Sequence, residues 1–427
     1  MRGALQPHRL SKALSAAAIL ALITPSHAQQ QLTLADTEDH LSTTNSASLL
    51  SAADAFAKTD FPRADQLYRQ AWNNPNYRHQ AAMSLWNLYR GKGIKLETDK
   101  NAINTALSQL GPGFVRNDTS HFVILSNCDA RFTQSRGELL ERTRSQFYRV
   151  ADRLGLDALP HKSKLICILI ADRNAYLSFA RSRDNLKSDW IAGYYSTKTN
   201  RIVFYNDNSN PDLAAAKDNI AKARAQVADA RARAAKAEQD NNPGLAQRLT
   251  AAADDLESRI KAEDSRITTI TTDTTTAKTI HEAIHLLAFN SGAQLPSREY
   301  PFWLCEGLAT SFETDDPKSA FGPDRSVSRE RLSRFKELQK AGHMRPLSDL
   351  VTMMDANGCD AQTAEAIYCQ STALFTYLYK SNPQALGRYI RAITDSNPGK
   401  LGEARQLSLF TSSFGDTGAL EPRLGTR

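Results

Sequence analysis

Two histidines four residues apart, in His281-Glu282-Ala283-Ile284-His285, constrain this chain more than any other feature. Residues at that spacing share one face of an α-helix, so the pair can offer two imidazoles to a single ion only if the segment is helical. The flanking sequence agrees. Ala277, Ile280, Ile284, Leu286 and Leu287 give such a helix a buried side, and Ser291-Gly292 is a stop signal. Glu282 lies beside the pair, where a carboxylate can take the proton of a water acidified by a metal. Imidazole and carboxylate ligands make Zn2+ the expected cofactor, although they accept other divalent ions.

A zinc ion that works on a substrate takes three protein ligands and keeps one position open. Glu306 follows His285 by 21 positions, which leaves room for a loop and a second helix packed antiparallel to the first. Trp303, Leu304, Leu308 and Phe312 can bury one side of that helix, and Gly307 permits close helix approach. The two motifs together, H-E-x-x-H and then Trp303-Leu304-Cys305-Glu306-Gly307-Leu308-Ala309, resemble the gluzincin metallopeptidases of the zincin fold. The resemblance implies that His281, His285 and Glu306 ligate the metal, that Glu282 is the general base, and that the reaction is zinc-dependent hydrolysis of peptide bonds. It also implies that the strand pair before the metal helix is the sheet edge that holds extended substrate. The stretch from His121 to about Phe414, without its helical insertion, resembles a family of secreted bacterial gluzincin-like proteins of unassigned function, and Tyr368-Cys369-Gln370-Ser371 fits that family's Tyr-x-Gln-Ser segment.

The departures from the pattern are informative. No G-x-M-E-N segment stands in the upstream strands, so exopeptidase action has no support. Thr310 stands four past Glu306, where some gluzincins carry an acid that orients a ligand histidine. That task passes to Thr310, Glu313 or a backbone carbonyl. Tyr368 is the second candidate catalytic residue, its hydroxyl stabilising the tetrahedral intermediate; a core aromatic is the other reading. His343, beside Gly342, is a weaker candidate for the same work, and His121 reads as structural.

The expected fold class is α+β: a zincin-like domain with an N-terminal helical module and an inserted antiparallel coiled-coil hairpin. The 427 residues divide into a leader (1–28), a flexible start and helical module (29–115), the zincin-like domain (116–210 and 269–415), the hairpin (211–268) and a tail (416–427). The module reads either as tetratricopeptide-like or as a helical cap, from Ala53, Ala55, Phe56, Ala64, Leu67, Tyr68 and Ala71, then Ala82, Leu85, Trp86 and Tyr89. Strands are expected at His121–Leu125, Lys164–Ile170, Ala192–Tyr195 and Arg201–Tyr205, with helices over Arg136–Leu154 and Asn174–Ser182. In the hairpin, Leu213, Ile220, Val227 and Ala234 repeat every seven residues, as do Ala216, Ala223, Ala230 and Ala237. Asn241-Asn242-Pro243-Gly244 makes the turn, and Leu245, Leu249, Ala252, Leu256, Ile260 and Ile267 are expected to face back. Its place between edge strand and metal helix sets it near the cleft rim, to gate or recruit substrate, or as a plain surface insertion.

The first residues read as a secretory signal: Arg2, Arg9 and Lys12, then apolar Ala13–Ile23, then Ser26-His27-Ala28 as a cleavage site. The apolar run is shorter than a membrane span. A periplasmic or secreted location follows, with no span in the mature chain. Removing those three bases leaves 50 against 46 acids, too small an excess to imply nucleic acid. Five cysteines leave at least one unpaired, and Cys359–Cys369 is the candidate disulfide. The expected partner is a peptide or protein substrate, with a further protein on the coiled coil or helical module. Two rival functions share these residues: a cell-envelope binding or scaffold protein that retains a zinc site, and a zinc amidase acting on cell-wall peptides.

Overall fold

The computed structural model describes residues 46–91, 96–186, 192–325 and 328–424; the leader expected at 1–28 lies outside the described residues. Three helices come first, α1 (Ser46–Phe56), α2 (Phe61–Trp72) and α3 (Arg78–Gly91). They close around Leu50, Ala53, Leu67, Tyr68, Ala71 and Leu85. Ala55 and Phe56 were expected in this core but are exposed, because the buried stripe of α1 runs through Leu50 and Ala53. The module is fastened to the loop over 155–164. Trp72 Nε1 donates to Asp157 O at 2.7 Å, Trp86 Nε1 to Ala158 O at 2.9 Å, and Arg69 to Pro160 O at 2.8 Å. Leu159 of that loop completes the module's core.

A five-stranded sheet follows, built from β1 (Val115–Asp118), β2 (Phe122–Ser126), β3 (Leu165–Ile170), β4 (Gly193–Ser196) and β5 (Arg201–Tyr205) in the order β1-β2-β3-β5-β4. The three inner strands are parallel and the two edges antiparallel. Both faces are covered, which is why the β3 run Leu-Ile-Cys-Ile-Leu-Ile has no polar alternation. On one face Phe122, Ile124, Cys167, Leu169, Ile202 and Phe204 meet α5 (Ala130–Leu154) and the helical turns around Ile280, Ala283, Ile284 and Leu287. On the other, Val123, Leu125, Ile168 and Val203 meet α4 (Lys100–Gln109) and α6 (Arg173–Asp184). Ile103 and Ala106 of α4 thus belong to the sheet's core and not to the helical module.

After β5 the chain leaves the sheet as α7 (Pro211–Gln239) and returns as α8 (Pro243–Asn290). The pair is antiparallel. Arg224 pairs with Asp264 and Arg231 with Asp254 and Glu257, so the partner number falls as the first rises. The seven-residue stripes of α7 are buried as expected, with Ala230 half-buried. On α8 the buried stripe is Ala246, Ala253, Ile260 and Ile267, again in sevens, and the expected Leu245 and Ala252 are exposed. The helix does not end where the hairpin does: α8 runs for 48 residues and carries both the return arm and the H-E-x-x-H motif.

The remainder is helical: α9 (Phe302–Thr310), α10 (Arg329–Lys340), α11 (Leu347–Thr352), α12 (Ala361–Ser381), α13 (Pro383–Thr394), α14 (Glu403–Phe414) and α15 (Thr417–Leu420). The expected tail is part of the body, since Leu420 and Leu424 are buried in the main core. All five cysteines are free, Cys359 and Cys369 included. Cys359 precedes α12, and Cys369 lies eight residues past that helix's first residue, Ala361. A helical rise of about 1.5 Å per residue therefore sets them beyond the roughly 7 Å that a disulfide can bridge. Among the described residues no helix is long and apolar enough to cross a membrane.

Candidate metal centre

The last turns of α8 are buried on every side: Ile280, Ala283, Ile284, Leu287 and Ala288 are enclosed, and so are His281, Glu282 and Leu286. The helix stops at Ser291, and Gly292 takes a left-handed φ of 77°. A side chain at Gly292 would strike the Trp72 ring at 2.6 Å, so the N-terminal module packs on the end of the metal helix. Helix α9 is set by Phe302 N–H donating to Met353 O at 2.8 Å and by buried Trp303, Leu304 and Leu308. Gly307 does permit close approach, and the helix that uses it is α12: a Cβ there would lie 2.6 Å from Ser371 O.

These two elements bring three of the predicted residues together. His281 Nε2 lies 3.1 Å from His285 Nε2 and 3.1 Å from Glu306 Oε2, and His285 Nε2 lies 3.6 Å from Glu306 Oε1. Four ligands arranged tetrahedrally at the usual zinc bond lengths stand about 3.3 Å apart. The Glu306 carboxylate faces both imidazoles, one oxygen toward each, and one ligand atom from each of the three residues lies within 4.8 Å of the others. Glu306 Oε2 is buried without a hydrogen bond despite its nearness to His281, because the contact is not aligned as one. Such an atom is what a cation would satisfy.

The tautomer of His281 follows from its other nitrogen. Nδ1 lies 3.0 Å from Glu313 Oε1, and a carboxylate only accepts, so Nδ1 carries a hydrogen and Nε2 is the nitrogen whose lone pair the neutral ring would offer to an ion. Glu313 is itself held by Arg331, whose Nε donates to Oε2 at 2.7 Å. Of the candidates for orienting the ligand histidine, Glu313 does it. Thr310 turns its hydroxyl to Glu306 O at 2.6 Å and accepts from Thr372 at 2.7 Å. Sequence reasoning did not find Arg331. It lies on another helix, and nothing in its local sequence marks it.

The centre's field calls for positive charge. Burial disfavours a charged His281, yet Glu306 and Glu313 outweigh it and raise its pKa to about 10. Burial works against Glu306 too, but the two histidines lower its carboxyl to about 2. Glu282, nearly as buried, has its pKa raised by that burial. It stands one turn from Lys278, and a Cβ on Gly193 would touch both side chains, so β4 lies directly over them. Lys278 Nζ is buried on Asp207 at 2.8 Å and Tyr205 O at 3.0 Å. Tyr368 lies wholly inside the protein on α12, its ring edge-on to Phe302 at 5.2 Å. Burial drives its pKa well up, and the charges of Glu306 and Glu282 add to this. His343 is exposed, and His121 is bound to Glu141 at 2.6 Å as a structural residue.

Residues 275–400 match the family described as protein of unknown function, DUF1570. That segment holds His281, Glu282, His285, Glu306, Glu313, Arg331 and Tyr368, and leaves out the hairpin. No curated protein and no solved structure matches the chain.

Proposed function

We propose that the chain is a zinc-dependent peptidase of the gluzincin type, exported from the cytoplasm, with a zincin-like body, a tetratricopeptide-like cap and a coiled-coil hairpin. The observation that carries this reading is the convergence of His281, His285 and Glu306, whose ligand atoms, one from each residue, lie within 4.8 Å of one another. His281, His285 and Glu306 hold the ion. When bound, zinc supplies a Lewis acid that polarises the scissile carbonyl and acidifies a water. Glu282 takes the proton of the attacking water and passes it to the leaving amine. Its burial supports this role, because burial raises its pKa and so makes the carboxylate a stronger base. Glu313 and Arg331 keep His281 in the ligating tautomer.

Metal content and cleavage of a mixed unfolded-protein substrate, compared between the natural chain and Glu282→Gln, test the proposal. About one zinc per chain is expected in both proteins, with cleavage reduced about 10²–10⁴-fold in the variant. Cleavage undiminished in Glu282→Gln would remove Glu282 as the base. A chain that takes up no metal would end the peptidase reading.

A further inference from the structure

Of the three ligands, His285 is the one that solvent reaches. Its side chain is 15% exposed, against 2% for His281 and 6% for Glu306. The approach to the centre therefore runs past His285, and two aromatic rings border it. Phe289 follows His285 by one helical turn on the same face of α8. Tyr195, on edge strand β4, stacks against it with centroids 5.5 Å and planes 27° apart. Both rings are half-buried, and Phe289 joins none of the buried clusters found among the described residues. Tyr195 packs against the edge of the main core, so the stacked pair is an apolar step at the core's margin, with Phe289 its outer ring, beside the exposed ligand.

The pair is also fixed in place. Tyr195 O–H donates to Asn200 Oδ1 at 3.0 Å. Asn200 and Asn290 exchange amide hydrogen bonds at 2.9 and 2.7 Å, tying the β4–β5 turn to the end of the metal helix. Asn200 takes a left-handed φ of 48° in that turn, a conformation asparagine tolerates. The backbone amide of Tyr195 faces Glu282, so the ring is carried by the same residue that abuts the base. A substrate side chain next to the reacting carbonyl would meet a rigid aromatic surface.

We infer that Tyr195 and Phe289 form a subsite for an aromatic or large apolar side chain adjoining the bond to be cut. The inference rests on the peptidase reading above. Its test uses the full chain loaded with Zn2+, titrated calorimetrically with phenylalanine hydroxamate and alanine hydroxamate, with zinc measured on every sample. The natural chain is expected to bind the phenylalanyl probe about tenfold or more tightly than the alanyl one. Phe289→Ala is expected to erase that ratio while keeping its zinc, and Phe289→Leu to keep part of it. A ratio near one in the natural chain, no binding of either probe, or an undiminished ratio in Phe289→Ala overturns the subsite and leaves the metal centre standing. If Phe289→Ala fails to fold, the same ratio in Phe289→Leu decides. A natural chain that takes up no zinc overturns both readings.

Discussion

Both nitrogens of His281 are committed, Nε2 to the centre and Nδ1 to Glu313, and Glu313 is committed in turn to Arg331. The order matters, because the carboxylate fixes which imidazole nitrogen can ligate. Glu313→Gln keeps the shape, removes the charge and leaves Arg331 buried without its partner. We expect it to weaken zinc binding about 10–100-fold, measured by competition with a chromophoric chelator; an unchanged affinity would make Glu313 merely structural. Tyr368→Phe separates that residue's two readings. As the oxyanion partner, its loss lowers kcat by about 10²-fold with KM little changed, whereas a core aromatic would leave both alone. The grouping of His281, His285 and Glu306 was legible in the sequence because helical spacing and a second short motif specify these residues locally. Glu313 was legible only as one of several candidates. Arg331 and the Asp207–Lys278 pair were not, since each is joined to the site by tertiary packing across long sequence separations.

Helix α8 joins the hairpin to the metal centre through Thr268-Thr269-Ile270-Thr271-Thr272-Asp273-Thr274-Thr275-Thr276. This run is β-branched at all positions but one, and in a helix each threonine is less favourable than alanine by about 0.5–0.7 kcal/mol. Thr271, Thr272 and Thr279 turn their hydroxyls onto the carbonyl four residues back, at 2.7–2.8 Å, a bond that competes with the helical ladder. What holds the run helical is a clasp at the hairpin's base, where Asp207 accepts from Thr275 at 2.5 Å and from Lys278 at 2.8 Å. Replacing exposed Thr268, Thr269 and Thr272 by alanine is expected to stabilise this stretch by about 1.5–2 kcal/mol in sum. The readout is slower amide exchange across 268–274, and unchanged or faster exchange would refute the account. The run also explains why the sequence did not announce one continuous helix, since local preference there opposes the observed structure. The seams of α7 were readable from their sevens, whereas the return stripe begins at Ala246, one residue past the larger and more conspicuous Leu245. Strand β1 was missed because Val115, Arg116, Asn117 and Asp118 are all exposed and carry no alternation to read. Helix α5 begins six residues before its expected start, at a turn where Asp129 accepts from Phe132 N–H at 2.8 Å.

The loop over 155–164 is where the three parts of the molecule meet, because the helical module hangs on its carbonyls and α5 and the sheet enclose its end. His161 sits buried at that junction. Arg144 Nε donates to its Nε2 at 2.9 Å, and its Nδ1 lies 2.9 Å from Ser163 O. An arginine donor and a carbonyl acceptor together require the neutral ring, and a second proton would break the Arg144 bond. Burial, and after it the Arg144 charge, accordingly lower its pKa to about 3, while Glu141 on His121 next to it is held at about 2. In the unfolded chain such a histidine titrates near 6.5, so between about pH 6.5 and 3 the unfolded state binds the extra proton and stability falls as pH falls. The Glu141 contribution has the same direction in a lower window, full above about pH 4.5 and lost as pH falls toward 2. His161→Gln keeps a neutral acceptor and donor and removes only the first part. Urea unfolding of the zinc-loaded chain is therefore expected to show a difference between natural protein and variant that grows by up to about 1.4 kcal/mol per pH unit below 6.5 and is constant above 7. Parallel curves from pH 7 to 4.5 would show that the junction is not closed by a neutral His161.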